Sequence, residues 1–273
     1  MERAKPKFER LRTIYLNTLE AMKTNPQAYC RGLAPSPDVS AGENDQLKAR
    51  ADAALNNITF TLSYEEAARN CDLVIEAIAE NPDEKIAFYT KLAKHLPKKT
   101  IIATNSSTML PSAFAQHTGR PEKYLALRFA NEIWRNNTAG VMGHPETSKQ
   151  AYDDVAEFAE TISMIPLKLQ KEQPGYTLNS LLAPFLSAAE ALLATGVADC
   201  ETIDKTWMLA TGAPLGPFRI LDIVGLTTAY SIGIMDPRSK DPSTVQGKVA
   251  ALLKGYIDEG KTGVNAGEGF YKY

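Results

Sequence analysis

The sequence predicts an α/β protein: a mostly parallel sheet domain over residues 1–173, followed by an all-helical domain over 174–273. Three observations predict it. Two nearly continuous apolar runs, Asp72–Ile78 and Thr100–Thr104, read as strands buried on both faces. Helical patterns alternate with them, and that succession argues for βαβ units on a parallel sheet. After Gln173-Pro174-Gly175 the strand signal fades, and apolar residues recur at spacings of three and four.

The elements follow in order. Phe8, Leu11, Tyr15, Leu19 and Met22 mark a helix over Pro6–Lys23, with Pro6 in its first turn and Asn25-Pro26 as its stop. Gly32–Asn44 reads as a loop and Asp45–Leu55 as a second helix. This charged hairpin is either a solvated arm or part of a ligand site. Ile58–Leu62 reads as a short strand. Ser63 opens a short helix, Tyr64–Arg69, with Glu66 completing a capping box. Glu84–Leu96 is a helix ended by Pro97. Tyr124–Pro145 holds two extended runs joined by a polar turn, and Met164–Leu169, with Pro166 inside it, is an edge strand. In the second domain, Leu178 to Leu193 cover a wide face of a long helix closed by Gly196. Helices follow over Ile203–Ala210, Ile220–Ile234 and Val245–Glu259, the last stopped by Gly260.

Composition narrows the function classes. With 30 basic against 32 acidic residues, the charge balance gives no reason to expect a nucleic-acid partner. Cys30, Cys71 and Cys200 lie far apart without a Cys-x-x-Cys spacing, so neither a metal centre nor a disulfide framework is expected, and a reducing cytoplasm is the plain setting. The charged, amphipathic start does not read as a signal segment. No run of about 18 apolar residues suggests a membrane partner.

Several motifs stand in order along the chain. Strand Asp72–Ile78 runs into Ala79-Glu80-Asn81 and then Lys85. Thr104-Asn105-Ser106-Ser107 follows the next strand. The Tyr124–Pro145 stretch carries Phe129 and Asn131, and Pro145-Glu146-Thr147-Ser148 follows it. Pro174-Gly175-Tyr176-x-x-Asn179 opens the helical domain, Gly212–Gly225 is rich in Gly and Pro, and Gly267-Glu268-Gly269-Phe270-Tyr271 closes the chain. Taken singly, Asn105 and Ser107 read as turn residues and Asn179 as a helix-start residue. Taken together, the pattern resembles the 3-hydroxyacyl-CoA dehydrogenase (3-hydroxybutyryl-CoA dehydrogenase) family over about the last four fifths of the chain. The resemblance implies NAD-dependent oxidation of L-3-hydroxyacyl-CoA to 3-ketoacyl-CoA, and a homodimer built on the helical domain. It implies Glu80, Lys85 and Asn105 for the cofactor, and Ser107, Asn131 and Asn179 for an acyl-CoA substrate.

The resemblance is broken where the chemistry lies. The family's catalytic His and its paired Glu fall on Arg128 and Gly140. No Gly-x-Gly-x-x-Gly occurs in the 273 residues, although that loop carries the family's dinucleotide pyrophosphate. The expected fold is therefore an incomplete Rossmann-type sheet lacking its first strand, glycine loop, helix and second strand. An unpaired edge is expected beside Asp72–Ile78. Arg128 stays protonated and is no base near neutral pH. His95, His117 and His144 do not stand at the motif position, and His144, between Gly143 and Pro145, reads as a loop residue rather than a substitute catalyst. These departures lead to the expectation of an impaired or inactive dehydrogenase with weakened NAD binding. The alternative is a non-catalytic acyl-CoA binder or dimer partner.

Overall fold

The computed structural model describes residues 5–273. The chain divides into two units, Met1–Tyr176 and Thr177–Tyr273.

The first unit begins with a helical pair, α1 (Lys5–Met22) and α2 (Ala41–Asn56). Ion pairs Arg12–Asp52 at 2.5 Å and Lys23–Asp45 at 3.0 Å lie along it. They are solvent-exposed, so each contributes little. The buried contact is Leu19 against Asn44, whose amide donates to the Leu19 carbonyl at 2.8 Å. Helix α2 starts earlier than the sequence suggests because Ser40 and Glu43 cap it reciprocally. Ile58–Leu62, expected as a strand, belongs to no sheet. A strand needs a ladder partner, and none is offered among the described residues. Phe60 instead meets Phe8 edge-on at 5.6 Å, and Leu62 is left 80% exposed. The short helix α3 (Tyr64–Ala68) keeps half of its expected box: Ser63 accepts from the Glu66 N–H, while the Glu66 carboxylate turns to Thr61.

A five-stranded sheet follows, in spatial order β1 (Leu73–Glu76), β2 (Ile101–Thr104), β3 (Tyr124–Phe129), β4 (Thr138–Met142), β5 (Ile165–Leu169). All neighbours are parallel except β3 and β4. This is the mostly parallel α/β architecture the alternation implies. Helix α4 (Pro82–Leu92) leads from β1 to β2, with Asn81 rather than Glu84 marking its start: the Asn81 side chain accepts from the N–H groups of Asp83 and Glu84. Helix α5 (Lys149–Thr161), capped by Ser148, is an addition to the sequence reading. Residues Tyr124 to Leu127 of β3 are fully buried, as a central strand requires. Leu125, Leu127 and Val141 pack with Val155 and Ala159 of α5. Tyr124 and Ile102 pack with Tyr89 and Leu92 of α4. Strand β5 lies at one edge, where Pro166 is tolerated. Strand β1 lies at the other edge, pairs with β2 alone among the described residues, and leaves Ile75 38% exposed.

The second unit comprises α6 (Tyr176–Ala194), α7 (Cys200–Thr211), α8 (Pro217–Val224), α9 (Leu226–Gly233) and α10 (Val245–Asp258). The expected helix over Ile220–Ile234 is broken in two because Gly225 adopts φ +92°, a conformation no helix interior accepts. Leu186, Phe218, Leu221, Leu226 and Leu253 form the core. By length and composition α6 could cross a membrane. Its Leu182, Phe185, Leu186 and Leu193, however, pack into that core. Asp222 is fully buried and gathers the chain end. Its carboxylate accepts from the Phe270 N–H (2.8 Å), the Tyr271 N–H (3.0 Å) and the Tyr273 hydroxyl (2.9 Å).

Candidate functional site

The antiparallel register of β3 and β4 sets Arg128 directly opposite Gly140. Residues twelve apart in sequence thus become cross-strand neighbours whose side chains share one face. Between them stands Tyr176. A Cβ on Gly140 would lie 2.9 Å from Tyr176 Cδ1 and 3.0 Å from Cε1, so the ring occupies the space a side chain at 140 would need. The Arg128 guanidinium lies over the same ring, 5.6 Å from its centroid. The phenol donates to the Ser106 carbonyl at 3.1 Å. Burial pushes this phenol above its ordinary range, with Arg128 opposing. Tyr176 also holds a φ of +58°, strained for a non-glycine residue. None of the ion pairs among the described residues includes Arg128.

The turn after β2 borders this group. Glu80 accepts from the Ser106 hydroxyl (2.7 Å), the Ser107 N–H (3.3 Å) and the Thr108 hydroxyl (3.0 Å), and so fixes the Ser106–Thr108 turn. Asn105 accepts from the Phe129 N–H at 2.9 Å, tying that turn to the end of β3. Ser107 is half-buried and Asn131, in the β3–β4 loop, is exposed. Glu80, Asn105, Ser107, Arg128 and Gly140 are therefore gathered at the carboxyl ends of β1, β2 and β3 and on β4. In open α/β sheets that end is where ligands bind. Asn179 belongs to the helical unit, exposed on α6.

Lys85 has a different place from the one the resemblance implies. It is 1% exposed, and its ammonium lies 2.8 and 2.9 Å from the two oxygens of buried Glu76. Glu76 also accepts from Tyr89 (2.5 Å), Thr104 (2.8 Å) and the Ile78 N–H (2.6 Å). Desolvation works to raise the Glu76 pKa, but these hydrogen bonds together hold it below the ordinary carboxylate value. The amine is thus a structural counter-ion inside the fold. His144 is likewise held by backbone, its Nε2 3.0 Å from the Pro121 carbonyl oxygen and its Nδ1 accepting from the Glu146 N–H. No cluster of potential metal ligands occurs among the described residues.

Chemically, the group offers a fixed cation, hydroxyls and backbone N–H groups. It can bind and polarise oxygen atoms. It presents no imidazole and no carboxylate free to move a proton. Sequence reasoning located Arg128 and Gly140 but treated Tyr176 only as part of a motif. Its role depends on a long-range contact that local pattern does not encode.

Comparison with known proteins adds three findings. Residues 20–173 match the NAD binding domain of 3-hydroxyacyl-CoA dehydrogenase, and residues 175–273 match its C-terminal domain. The mitochondrial hydroxyacyl-coenzyme A dehydrogenase of Sus scrofa is 33% identical over 221 residues, covering 80% of this chain and 69% of the relative. A probable 3-hydroxybutyryl-CoA dehydrogenase of Bacillus subtilis is 30% identical over 254 residues, covering 91% and 86%. Among solved structures, a diketoreductase described as acting on dicarbonyl compounds is 48% identical with a TM-score of 0.82, covering 100% of this chain and 86% of that one. FadB2 of M. tuberculosis is 27% identical with a TM-score of 0.68, covering 86% and 79%.

Proposed function

Because the chain belongs to the 3-hydroxyacyl-CoA dehydrogenase family, we propose that it binds 3-ketoacyl and 3-hydroxyacyl thioesters but is impaired in the family's proton transfer. The observation that carries this reading is the Arg128–Gly140 pair with the Tyr176 ring between its members. A general base at this point is typically worth about 10²–10⁴-fold in rate. Arg128 cannot supply it, because a guanidinium stays protonated. What Arg128 can do is donate hydrogen bonds from a planar fork, and a 3-ketoacyl thioester presents two carbonyl oxygens to such a fork. The 48% identity to a diketoreductase supports a ligand of this two-carbonyl kind. Ser107 and Asn131 supply further polar contacts.

NAD is the family's cofactor, and it supplies or accepts the hydride. The residues at hand fit it poorly. Lys85 is buried against Glu76, Glu80 is engaged by the Ser106–Thr108 turn, and Asn105 is engaged by Phe129. A weakened dinucleotide site in this chain follows from those engagements.

A non-catalytic binder or dimer partner is the second reading. Leu178 and Leu181 on α6 and Leu209 on α7 are 60%, 69% and 77% exposed, an apolar surface of the kind that a second copy would cover.

The test is acetoacetyl-CoA-dependent oxidation of NADH, beside calorimetric titration of acetoacetyl-CoA alone. Binding without turnover is expected. Full turnover by the parent chain would overturn the reading. Replacing Arg128→His and Gly140→Glu together should not restore activity, because Tyr176 blocks position 140. Adding Tyr176→Ala should give a measurable gain if NAD still binds.

A further inference from the structure

The connection between α1 and α2 meets the β3–β4 loop backbone to backbone. The Gly32 N–H donates to the Trp134 carbonyl at 2.9 Å. A Cβ on Gly32 would stand 2.2 Å from the Ile133 carbonyl oxygen and 2.9 Å from the Trp134 Cα. Both obstacles are backbone, so no rotamer change makes room. One of the two segments must retreat by about 1 Å before a side chain at 32 finds ordinary contact. Two side-chain contacts hold the same junction. Tyr15 of α1 packs on Trp134 with ring centroids 5.7 Å apart. Arg31 donates through Nε to buried Asn137 at 2.5 Å, and the Asn137 amide donates in turn to the Ser163 carbonyl at 2.8 Å.

The β3–β4 loop is built to pass such a shift on. The Arg135 and Asn136 N–H groups both donate to the Glu132 carbonyl, at 2.8 and 2.9 Å. The Asn136 side-chain amide donates to the Asn131 carbonyl at 3.1 Å. Glu132 holds a φ of +53°, a conformation that a residue with a side chain keeps only where its surroundings impose it. A turn closed by its own hydrogen bonds moves as a unit, so a displacement at Ile133 and Trp134 reaches Asn131. Asn131 stands exposed at the start of this turn, just past the end of β3.

We propose that Gly32 is a positioning residue for the ligand site: the α1–α2 connection braces the β3–β4 loop and so sets where Asn131 meets the bound thioester. Gly32 acts through the Ile133–Trp134 peptide and not by touching the ligand. The charged helical pair is then a working part of the site rather than a solvated arm. This inference rests on the reading of Asn131 as a substrate contact.

The test is calorimetric titration of acetoacetyl-CoA into four full-length chains: parent, Gly32→Ala, Asn131→Ala and the double variant. Gly32→Ala should weaken binding about fivefold, the worth of one hydrogen bond, and should add no further loss once Asn131 is alanine. Trp134 gives a second readout without ligand. The chain has two tryptophans, so in a Trp207→Phe background the emission is that of Trp134, and Gly32→Ala should shift it as the ring moves against Tyr15. Circular dichroism melts establish that each variant folds. If Gly32→Ala does not fold, Arg31→Met, at an exposed side chain, cuts the tie to Asn137 and takes its place in the same cycle. Equal losses of affinity in the parent and Asn131→Ala backgrounds, or an emission that does not move, would overturn the inference. A parent that binds no acetoacetyl-CoA would overturn it together with the thioester reading, and the parent titration alone tells that failure from the other two.

Discussion

At position 140 a missing side chain is as informative as a present one. Glycine there is required by the Tyr176 ring, 2.9 Å from where a Cβ would stand, and that ring is tethered through its hydroxyl to Ser106. Gly140→Ala should therefore lower unfolding stability by about 1–3 kcal/mol, the usual cost of overpacking. In a Tyr176→Ala background the same substitution should cost little, a coupling that a double-mutant cycle in denaturant reads directly. Equal costs in both backgrounds would mean the ring is not the obstacle. The positions of Arg128 and Gly140 were legible in sequence because flanking motifs fix the alignment. Their meeting with Tyr176 was not. It depends on a strand register and on a positive-φ tyrosine, and neither leaves a local pattern. The burial of Lys85 was illegible for a similar reason: its spacing from Glu80 is readable, while the pocket of Glu76, Tyr89 and Thr104 around it is assembled from three elements.

Elements carry two further expectations. Strand β1 is an open edge with Ile75 38% exposed, and a bare edge is a template for another chain. Ile75→Lys should reduce light scattering on warming while leaving the melting midpoint nearly unchanged; scattering that persists would place the aggregating surface elsewhere. Helix α6 carries the second. The Glu190 carboxyl has a folded pKa of about 7, above its unfolded value. Its contribution is therefore most favourable below about pH 4.5 and is lost as pH rises to about 7, roughly 3 kcal/mol over that window. Glu190→Gln should flatten the profile of stability between pH 5 and pH 8, and an unchanged slope would show the carboxyl to be ordinary. Most helices and buried strands were readable from apolar spacing and from caps such as Ser63 and Gly260. Ile58–Leu62 was misread because strand propensity without a partner makes no strand. Gly225 was passed over because one glycine in an apolar run does not announce its φ.

Assembly belongs to the whole molecule. If the exposed leucines of the helical unit seat a second copy, the purified chain should elute as a dimer in size-exclusion chromatography with light scattering. Leu178→Glu with Leu181→Glu should then give a monomer, while Glu190 substitutions should not. A monomeric parent at micromolar concentration would remove the dimer expectation. The division into an α/β unit and a helical unit was visible in sequence, because strand signal ends near Gln173. The cleft between α6 and the α8–α9 pair, floored by Glu190, was not visible, because its two walls come from helices some forty residues apart.

Asp222 holds the last residues of the chain through Phe270, Tyr271 and Tyr273. Without these donors a carboxylate buried in the middle of the helical unit would stand unpaired, and packing around it would be penalised. The segment is therefore the keystone of the helical core: disturb it, and the unit loosens from within and opens to proteases.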